Sequence, residues 1–324
     1  LKQFLSLKDL SMECIEQLLE QACRYEQEPI GRVLKDKVIG LLFMNPSLRT
    51  LSSFQAGVAQ LGGATVVIQP GSGTWALETR DGVRMDGVAV EHVREAIPVL
   101  AEYFDGLGVR CFAEGKDLET DLADGLIKKM AGLCSKPFFN MESAVDHPCQ
   151  ALADWKTLDD LGIPKSGKFV LSWAYHPKPL PYAVPNAALS MAQKRGMETV
   201  VLCPNGYDLP ADLLGDAKIC HDQSEALNEA HVLYCKSWCR PADYGDPESE
   251  VMWRGKYVDW MVRESWFRTA RPEAKFMHCL PVRRNVKVSD EVLDGPRSVV
   301  IKEAGNRLHV QKAMLAAQFG GERS

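Results

Sequence analysis

Val38-Ile39-Gly40-Leu41-Leu42-Phe43, followed at once by Met44-Asn45-Pro46-Ser47-Leu48-Arg49-Thr50, sets the reading of this 324-residue chain. The first six residues are apolar throughout, as expected of a strand buried on both faces. A helix-like stretch near 51–61 follows, then the β-rich Thr65-Val66-Val67-Ile68. Upstream, Ile15, Leu18, Leu19 and Ala22 recur at helical spacing, with Ser11 placed as the cap. Downstream, 91–103 reads as helix, 106–109 as strand, 122–133 as helix and 137–140 as strand. Strands alternating with helices over short connections predict a parallel sheet covered on both faces.

The rhythm restarts after the turn-rich Gly162-Ile163-Pro164-Lys165-Ser166-Gly167. Strands are expected at 169–173, 199–202, 231–234, 275–277 and 298–301, and 306–319 has helical periodicity. The fold class is therefore α/β, with two doubly wound parallel-sheet domains joined by a helix around 148–161. No fixed-period repeat or low-complexity tract interrupts them.

Composition limits what such a chain does. Hydrophobic residues at 46% and charged residues at 25% match an ordinary globular protein and exclude a disordered or collagen-like one. No apolar run reaches the ~18–20 residues of a membrane helix, and 1–10 lacks the pattern of a signal peptide. A formal charge of −5 argues against nucleic acid as a partner. The ten cysteines are scattered, which fits reduced thiols and a cytoplasmic location. Cys235 and Cys239 have a spacing that suits one helix face, but no second pair or nearby His completes a zinc site, so no metal is expected. Neither a G-x-x-x-x-G-K-[ST] loop nor a strand-linked G-x-G-x-x-G occurs, which counts against ATPases and dinucleotide enzymes.

Three short segments, each after an expected strand, carry groups suited to chemistry at a strand-end cleft. In the first, the Ser47 and Thr50 hydroxyls, the Arg49 fork and the N–H groups opening a helix converge on one anion, which suits phosphate. A capped helix with a solvated Arg is the bland alternative. In the second, His147 and Gln150 stand three apart at a helix start, near Glu142, able to donate to a carbonyl and accept from an amide. The third, His278-Cys279-Leu280-Pro281-Val282-Arg283-Arg284-Asn285, reads otherwise as a buried thiol and a basic turn. Trp75 stands in a Gly-rich loop that invites contact with a ligand or partner, and Lys236-Ser237-Trp238 ends a strand where a carboxylate can bind.

Together these segments resemble the aspartate/ornithine carbamoyltransferase family: Ser47–Thr50 matches S-x-R-T, His147–Gln150 matches H-P-x-Q, and His278–Pro281 matches H-C-L-P. Within it the chain is most similar to the N-acyl-L-ornithine carbamoyltransferases, through Trp75 with Leu77-Glu78-Thr79, Met85-Asp86-Gly87, Asn140-Met141-Glu142, His176-Pro177-Lys178-Pro179-Leu180, Lys236-Ser237-Trp238 and Glu303-Ala304-Gly305-Asn306-Arg307. The resemblance implies a carbamoyl-phosphate-binding domain over 1–147, an N-acylornithine-binding domain over 148–304, and a C-terminal helix, 305–324, packing back on the first.

Roles follow by the same resemblance. Ser47, Leu48, Arg49, Thr50, Trp75, Arg110, His147, Gln150 and Arg307 would bind carbamoyl phosphate, the Cys279 and Leu280 carbonyls receiving its NH2. Thr50, Arg110, His147, Gln150 and Cys279 would form the catalytic set. Glu142, Val90, His176, Lys236, Leu280 and Arg283 would meet the acylated amino acid. A homotrimer with Trp75 reaching a neighbouring subunit's site is implied, with no cofactor. Val90 holds the position where acetyl-specific members carry Glu and succinyl-specific members Pro. That removes a repulsive carboxylate and favours N-succinyl-L-ornithine. Lys287 matches a lysine carboxylated in the acetyl type and points to N-acetyl-L-ornithine instead. Carbamoylation of free ornithine or a polyamine, and a non-catalytic carbamoyl-phosphate binder, are the remaining alternatives.

Overall fold

The computed structural model describes residues 1–320. The chain forms two compact units, one of residues 1–113, 123–149 and the chain from 307, the other of 114–122 with 150–306. The divisions fall just inside the helix that follows His147 and inside the last helix. Residues 114–122 cluster with the second unit, although the sequence reading runs the first domain unbroken to 147.

The elements begin with β1 (Gln3–Phe4), α1 (Met12–Gln27), β2 (Val38–Phe43), α2 (Leu48–Gln60) and β3 (Ala64–Ile68). The two-residue strands β4 (Leu77–Glu78) and β5 (Glu91–His92) precede α3 (Val93–Tyr103) and β6 (Gly106–Arg110). After α4 (Leu118–Leu122), in the second unit, come α5 (Gly125–Leu133), β7 (Phe138–Glu142) and α6 (Pro148–Asp160). The first sheet has the order β1-β7-β6-β2-β3, parallel throughout. Ser11 caps α1 through Cys14 N at 3.1 Å, and its stripe of Ile15, Leu18, Leu19 and Ala22 is buried as the periodicity requires.

The second unit continues with β8 (Lys168–Trp173), α7 (Ala183–Arg195), β9 (Glu198–Leu202), α8 (Ala211–Leu214), β10 (Lys218–Cys220), α9 (Gln223–Leu227) and β11 (Val232–Lys236). Then follow α10 (Pro247–Arg254), β12 (Lys275–Met277), α11 (Asp290–Leu293) and α12 (Val300–Phe319). Its sheet, β10-β9-β8-β11-β12, is also fully parallel. Both sheets are therefore doubly wound, and each reverses its strand order once. The reversal lies where β2 adjoins β6 in the first sheet and where β8 adjoins β11 in the second. Open α/β sheets bind ligands outside the carboxyl ends of the strands at such points.

The end of α12 is tied to the first unit. Lys312 Nζ donates to Tyr25 O at 3.1 Å, Pro29 O at 3.0 Å and Gln60 Oε1 at 2.9 Å. Gly106 leaves room for the Phe319 ring, which a Cβ there would meet at 2.6 Å.

Three expectations fail. The helix expected over 122–133 begins only at Gly125, after Asp124, which adopts φ +52° and accepts from Ser143 Oγ at 2.6 Å. Residues 298–301 are not a strand. Ser298 makes one bridge to Phe276 and α12 begins at Val300, with Val300 and Glu303 buried and Ile301 exposed, a helical period that packing imposes on a β-branched run. Cys235 lies in β11 and Cys239 in the loop beyond, so they share no helix face. Strand β1 is too short to stand out in the sequence.

Candidate active site

In the first unit, the reversal point collects the cationic residues. Chain leaving β2 reaches Ser47, whose Oγ caps α2 by accepting from Thr50 N at 3.2 Å. The Leu48 side chain is 79% exposed, so what it offers here is its backbone N–H in the first turn. Arg49 is half-buried and Thr50 fully buried. Thr50 Oγ1 accepts from Arg307 Nη2 at 2.8 Å, which brings α12 to the same place. Arg110 ends β6 and Glu142 ends the neighbouring β7, where the register shifts after Val109 and sets the two side by side. They form a buried ion pair, and the Arg110 guanidinium also stacks 4.5 Å from the Phe112 ring centroid.

His147 Nε2 lies 3.5 Å from the same Glu142 carboxylate and is buried. Beneath it, burial pushes Asp146 up to about 6. Burial also lowers the Arg307 pKa, opposed by Cys149 and Glu142 and reinforced by Arg110 and Arg49. Among these groups the Arg49 and Arg110 charges both act against that of Arg307, while Glu142 offsets them. Confined like charges of this kind are relieved by an added anion. Trp75 stays 58% exposed, its indole N–H donating to Glu91 Oε2 at 2.6 Å. Val90 is 67% exposed on the loop just before.

The second unit holds the remaining residues. Gln150, at the start of α6, donates from Nε2 to Asp154 Oδ1 at 2.8 Å and to Glu303 Oε1 at 3.2 Å. Both amide hydrogens are thereby used and its buried Oε1 has no partner, leaving an acceptor for an N–H. Glu303 Oε2 accepts from His278 N at 3.0 Å, so one carboxyl group fixes both Gln150 and the turn after β12. Burial, seconded by Asp154, drives the Glu303 pKa up.

In that turn, Leu280 N donates to His278 Nδ1 at 2.8 Å, Leu280 sits at φ +53°, and the Leu280–Pro281 peptide is cis. A non-Gly residue in the left-handed region costs about 1–3 kcal/mol and is kept where its surroundings over-determine it. Lys236, ending β11 at the reversal point, donates from Nζ to Cys279 Sγ at 3.5 Å. Lys287 is buried, and burial followed by the Lys236 charge pulls its pKa down to about 7. Arg283 Nε donates to His176 Nε2 at 3.1 Å, while His176 Nδ1 lies 2.8 Å from Lys178 O and 3.1 Å from Lys178 N. Burial lowers the His176 pKa to about 4, leaving it neutral at pH 7.

The sequence-designated residues thus fall into two sets. Ser47, Arg49, Thr50, Arg110, Glu142, His147 and Arg307 gather in the first unit, and Gln150, His176, Lys236, Cys279, Leu280, Arg283 and Lys287 lie in the second. Glu142, expected to meet the amino acid, is engaged by Arg110 and His147. Two supporting pairs escaped the sequence reading. One is Asp154 with Glu303. The other is Glu250 with Arg254, both buried, where Arg254 donates to Ser237 Oγ at 2.9 Å, Trp238 O at 2.9 Å and His176 O at 3.2 Å. Their i, i+4 spacing on α10 was the available signal.

Residues 2–160 match the family described as aspartate/ornithine carbamoyltransferase, carbamoyl-P binding domain, and residues 183–318 match the Asp/Orn binding domain of the same family. The chain is 41% identical to the N-acetylornithine carbamoyltransferase of Xanthomonas campestris pv. campestris, over 100% of this chain and 99% of the relative. It is 38% identical to the N-succinylornithine carbamoyltransferase of Bacteroides thetaiotaomicron, over 92% of each. Among solved structures it resembles acetylornithine transcarbamylase complexed with acetylcitrulline, at TM-score 0.94 and 40% identity over 99% of this chain and 100% of that one. A Glu-to-Val variant of N-acetyl-L-ornithine transcarbamylase, complexed with carbamyl phosphate and N-succinyl-L-norvaline, superposes at TM-score 0.93 with 41% identity, over 98% of this chain and 100% of the other. The chain belongs to the aspartate/ornithine carbamoyltransferase family and is a carbamoyltransferase.

Proposed function

We propose that this enzyme transfers the carbamoyl group of carbamoyl phosphate to the δ-amine of an N2-acyl-L-ornithine, N-succinyl-L-ornithine being the favoured acceptor, and releases N2-acyl-L-citrulline and phosphate. The observation that carries this reading is the cationic cluster of Arg49, Arg110 and Arg307 with Thr50 at the reversal point of the first sheet, held around the single Glu142 carboxylate. Ser47, Arg49 and the first-turn N–H groups of α2 hold the phosphate. Thr50, Arg110 and His147 serve the carbamoyl oxygen, while Gln150 Oε1 and the Cys279 and Leu280 carbonyls take the carbamoyl NH2. Glu142, Lys236, His176 and Arg283 position the amino acid.

The acceptor amine, with a free pKa of about 10.4, loses a proton before it attacks. A C–N bond forms at the carbamoyl carbon, the tetrahedral oxyanion is stabilised by the preorganised donors, and the C–O bond to phosphate breaks. Phosphate leaves with the amine proton, so no protein nucleophile is required, and Cys279 acts through its backbone.

Val90 supports the succinyl preference: it offers no carboxylate to repel the succinyl terminus. The Glu-to-Val variant of the relative, crystallised with a succinylated ligand, points the same way. Acetylornithine is the second reading, favoured by Lys287. Its pKa of about 7 leaves much of the amine neutral and able to take up carbon dioxide as a carbamate. The working assembly is a homotrimer in which Trp75 serves a neighbouring subunit, an assignment supported by its exposure. No helix of the described residues is long and apolar enough to cross a membrane, and ten free cysteines support a reducing, cytoplasmic setting.

Citrulline formation from carbamoyl phosphate is to be measured with succinylornithine, acetylornithine and ornithine. Highest kcat/KM with succinylornithine is expected. A higher value with acetylornithine selects the second reading, and product from free ornithine alone overturns both.

A further inference from the structure

Away from the groups assigned above, the second unit brings a cysteine, an aspartate and a histidine together at the outer edge of its sheet. The register forces two of them onto one face. Strands β9 and β10 are parallel, with Cys220 opposite Leu202, and Cys203 N continues the ladder to Cys220 O at 3.2 Å. One residue further along each strand, Cys203 and His221 therefore emerge on the face opposite Leu202 and Cys220, because strand side chains alternate.

The third group returns through a tight turn. Tyr207 N donates to Pro204 O at 3.0 Å, with Gly206 at φ +85° as a type II turn demands at its third position. That reversal places Asp208 Oδ1 at 3.4 Å from Cys203 Sγ and 3.6 Å from His221 Nε2. All three ligand atoms lie within 4.8 Å of one another. Tetrahedral zinc, with bonds of about 2.0 Å to N and O and about 2.3 Å to S, needs ligand–ligand edges of roughly 3.3–3.6 Å.

A second feature concerns the histidine alone. His221 Nδ1 lies 2.8 Å from the Cys203 carbonyl, which places the proton there and turns the Nε2 lone pair towards Asp208. Metal-binding histidines are commonly oriented by this kind of bond from the other ring nitrogen to a carbonyl. The Cys203 thiol is buried, whereas the Asp208 and His221 side chains are 46% and 38% exposed, so a cation reaches the group from solvent and water can complete the tetrahedron.

We propose that Cys203, Asp208 and His221 form a binding site for a divalent transition metal, zinc in particular. It would clamp the end of the three-residue edge strand β10 to β9. Binding replaces the Cys203 S–H bond by an S–metal bond and releases one proton. The sequence reading expects no metal because it weighs ligands near in the chain. Here a tight turn joins Cys203 to Asp208, and only the parallel register adds His221.

The test uses the full-length enzyme, freed of metal with a chelator and titrated with cobalt(II), whose thiolate complexes show a charge-transfer absorption. One equivalent is expected to develop the band, and zinc to bleach it. C203S should abolish it. H221Q, which keeps the buried core intact, should weaken cobalt binding by at least about 100-fold, more than loss of an outer-shell partner. C23S, at an exposed thiol, should change nothing. Absence of a thiolate band, or a band surviving H221Q at unchanged affinity, overturns the assignment. Carbamoyl transfer by H221Q without metal should match the parent, so this result stands apart from the test of function.

Discussion

The anion-gripping set of the first unit and the orienting set of the second solve different physical problems. Around Glu142, the Arg110 ion pair, His147 at 3.5 Å and the mutually repelling Arg49 and Arg307 make a cationic setting that suits the proposed anion. Around Glu303, two buried carboxyl groups lie together, burial and the Asp154 charge push the Glu303 pKa up, and Gln150 and His278 supply amide donors. The first arrangement binds and polarises. The second holds geometry, with one acceptor, Gln150 Oε1, left open. On the proposed reading, the groups meant for the ligand's charge lie among mutually repelling cations, and the one meant for its N–H is fixed by hydrogen bonds.

The contrast makes the largest effect that of Arg110→Ala. It removes the proposed oxyanion donor and the ion-pair partner of the buried Glu142, so kcat/KM for carbamoyl phosphate should drop on the order of 1,000-fold in steady-state assays. A loss below ten-fold would dissolve the distinction between the two sets.

Glu303 should behave otherwise, as a positioning residue. Glu303→Ala removes the acceptor shared by Gln150 and His278, and kcat should fall about 10- to 100-fold with KM little changed. Glu303→Gln should recover most of it, because a neutral group already suits that site. Equal damage by both variants would mean that the charge itself is used.

Val90→Glu comes next. On this exposed loop a new carboxylate should cut the succinylornithine-to-acetylornithine kcat/KM ratio by about five-fold, the ceiling for a partly screened repulsion. An unchanged ratio would remove Val90 from acyl selection.

The smallest effect is on pH dependence. His176 has its pKa lowered to about 4 by burial, below the ordinary value near 6.5. A depressed pKa favours the folded state above the unfolded value, and that contribution is lost as pH falls through 6.5 towards 4. His176→Gln should therefore flatten the urea-derived stability profile between those limits and leave it unchanged above pH 7. An unaltered acid limb would place the cause elsewhere.

Much of this molecule was legible before any coordinate. The buried run 38–43, the Ser11 cap and the turn block 162–167 gave the strands, helices and restart of the rhythm, because each signal is local. The reading failed where local preference met packing. The Val-rich 298–301 became the lead-in and first turn of α12, and Asp124, held by Ser143, delayed the start of α5 to Gly125. The short motifs marked Thr50, His147 and Cys279, yet did not disclose that Glu142 is engaged by Arg110 or that Glu303 fixes Gln150.

From residue order alone, then, came the parallel α/β class, the restart of the strand rhythm at 162–167 and the capped helix opening at Ser47, since apolar runs, caps and turns act over a few neighbours. Partners distant in the chain were settled only by folding: Arg307 beside Thr50, Glu303 against Gln150, and Cys203 with Asp208 and His221. Strand register and helix docking bring Arg307, Glu303 and His221 to partners 18 to 257 residues away, and no short-range pattern carries that information.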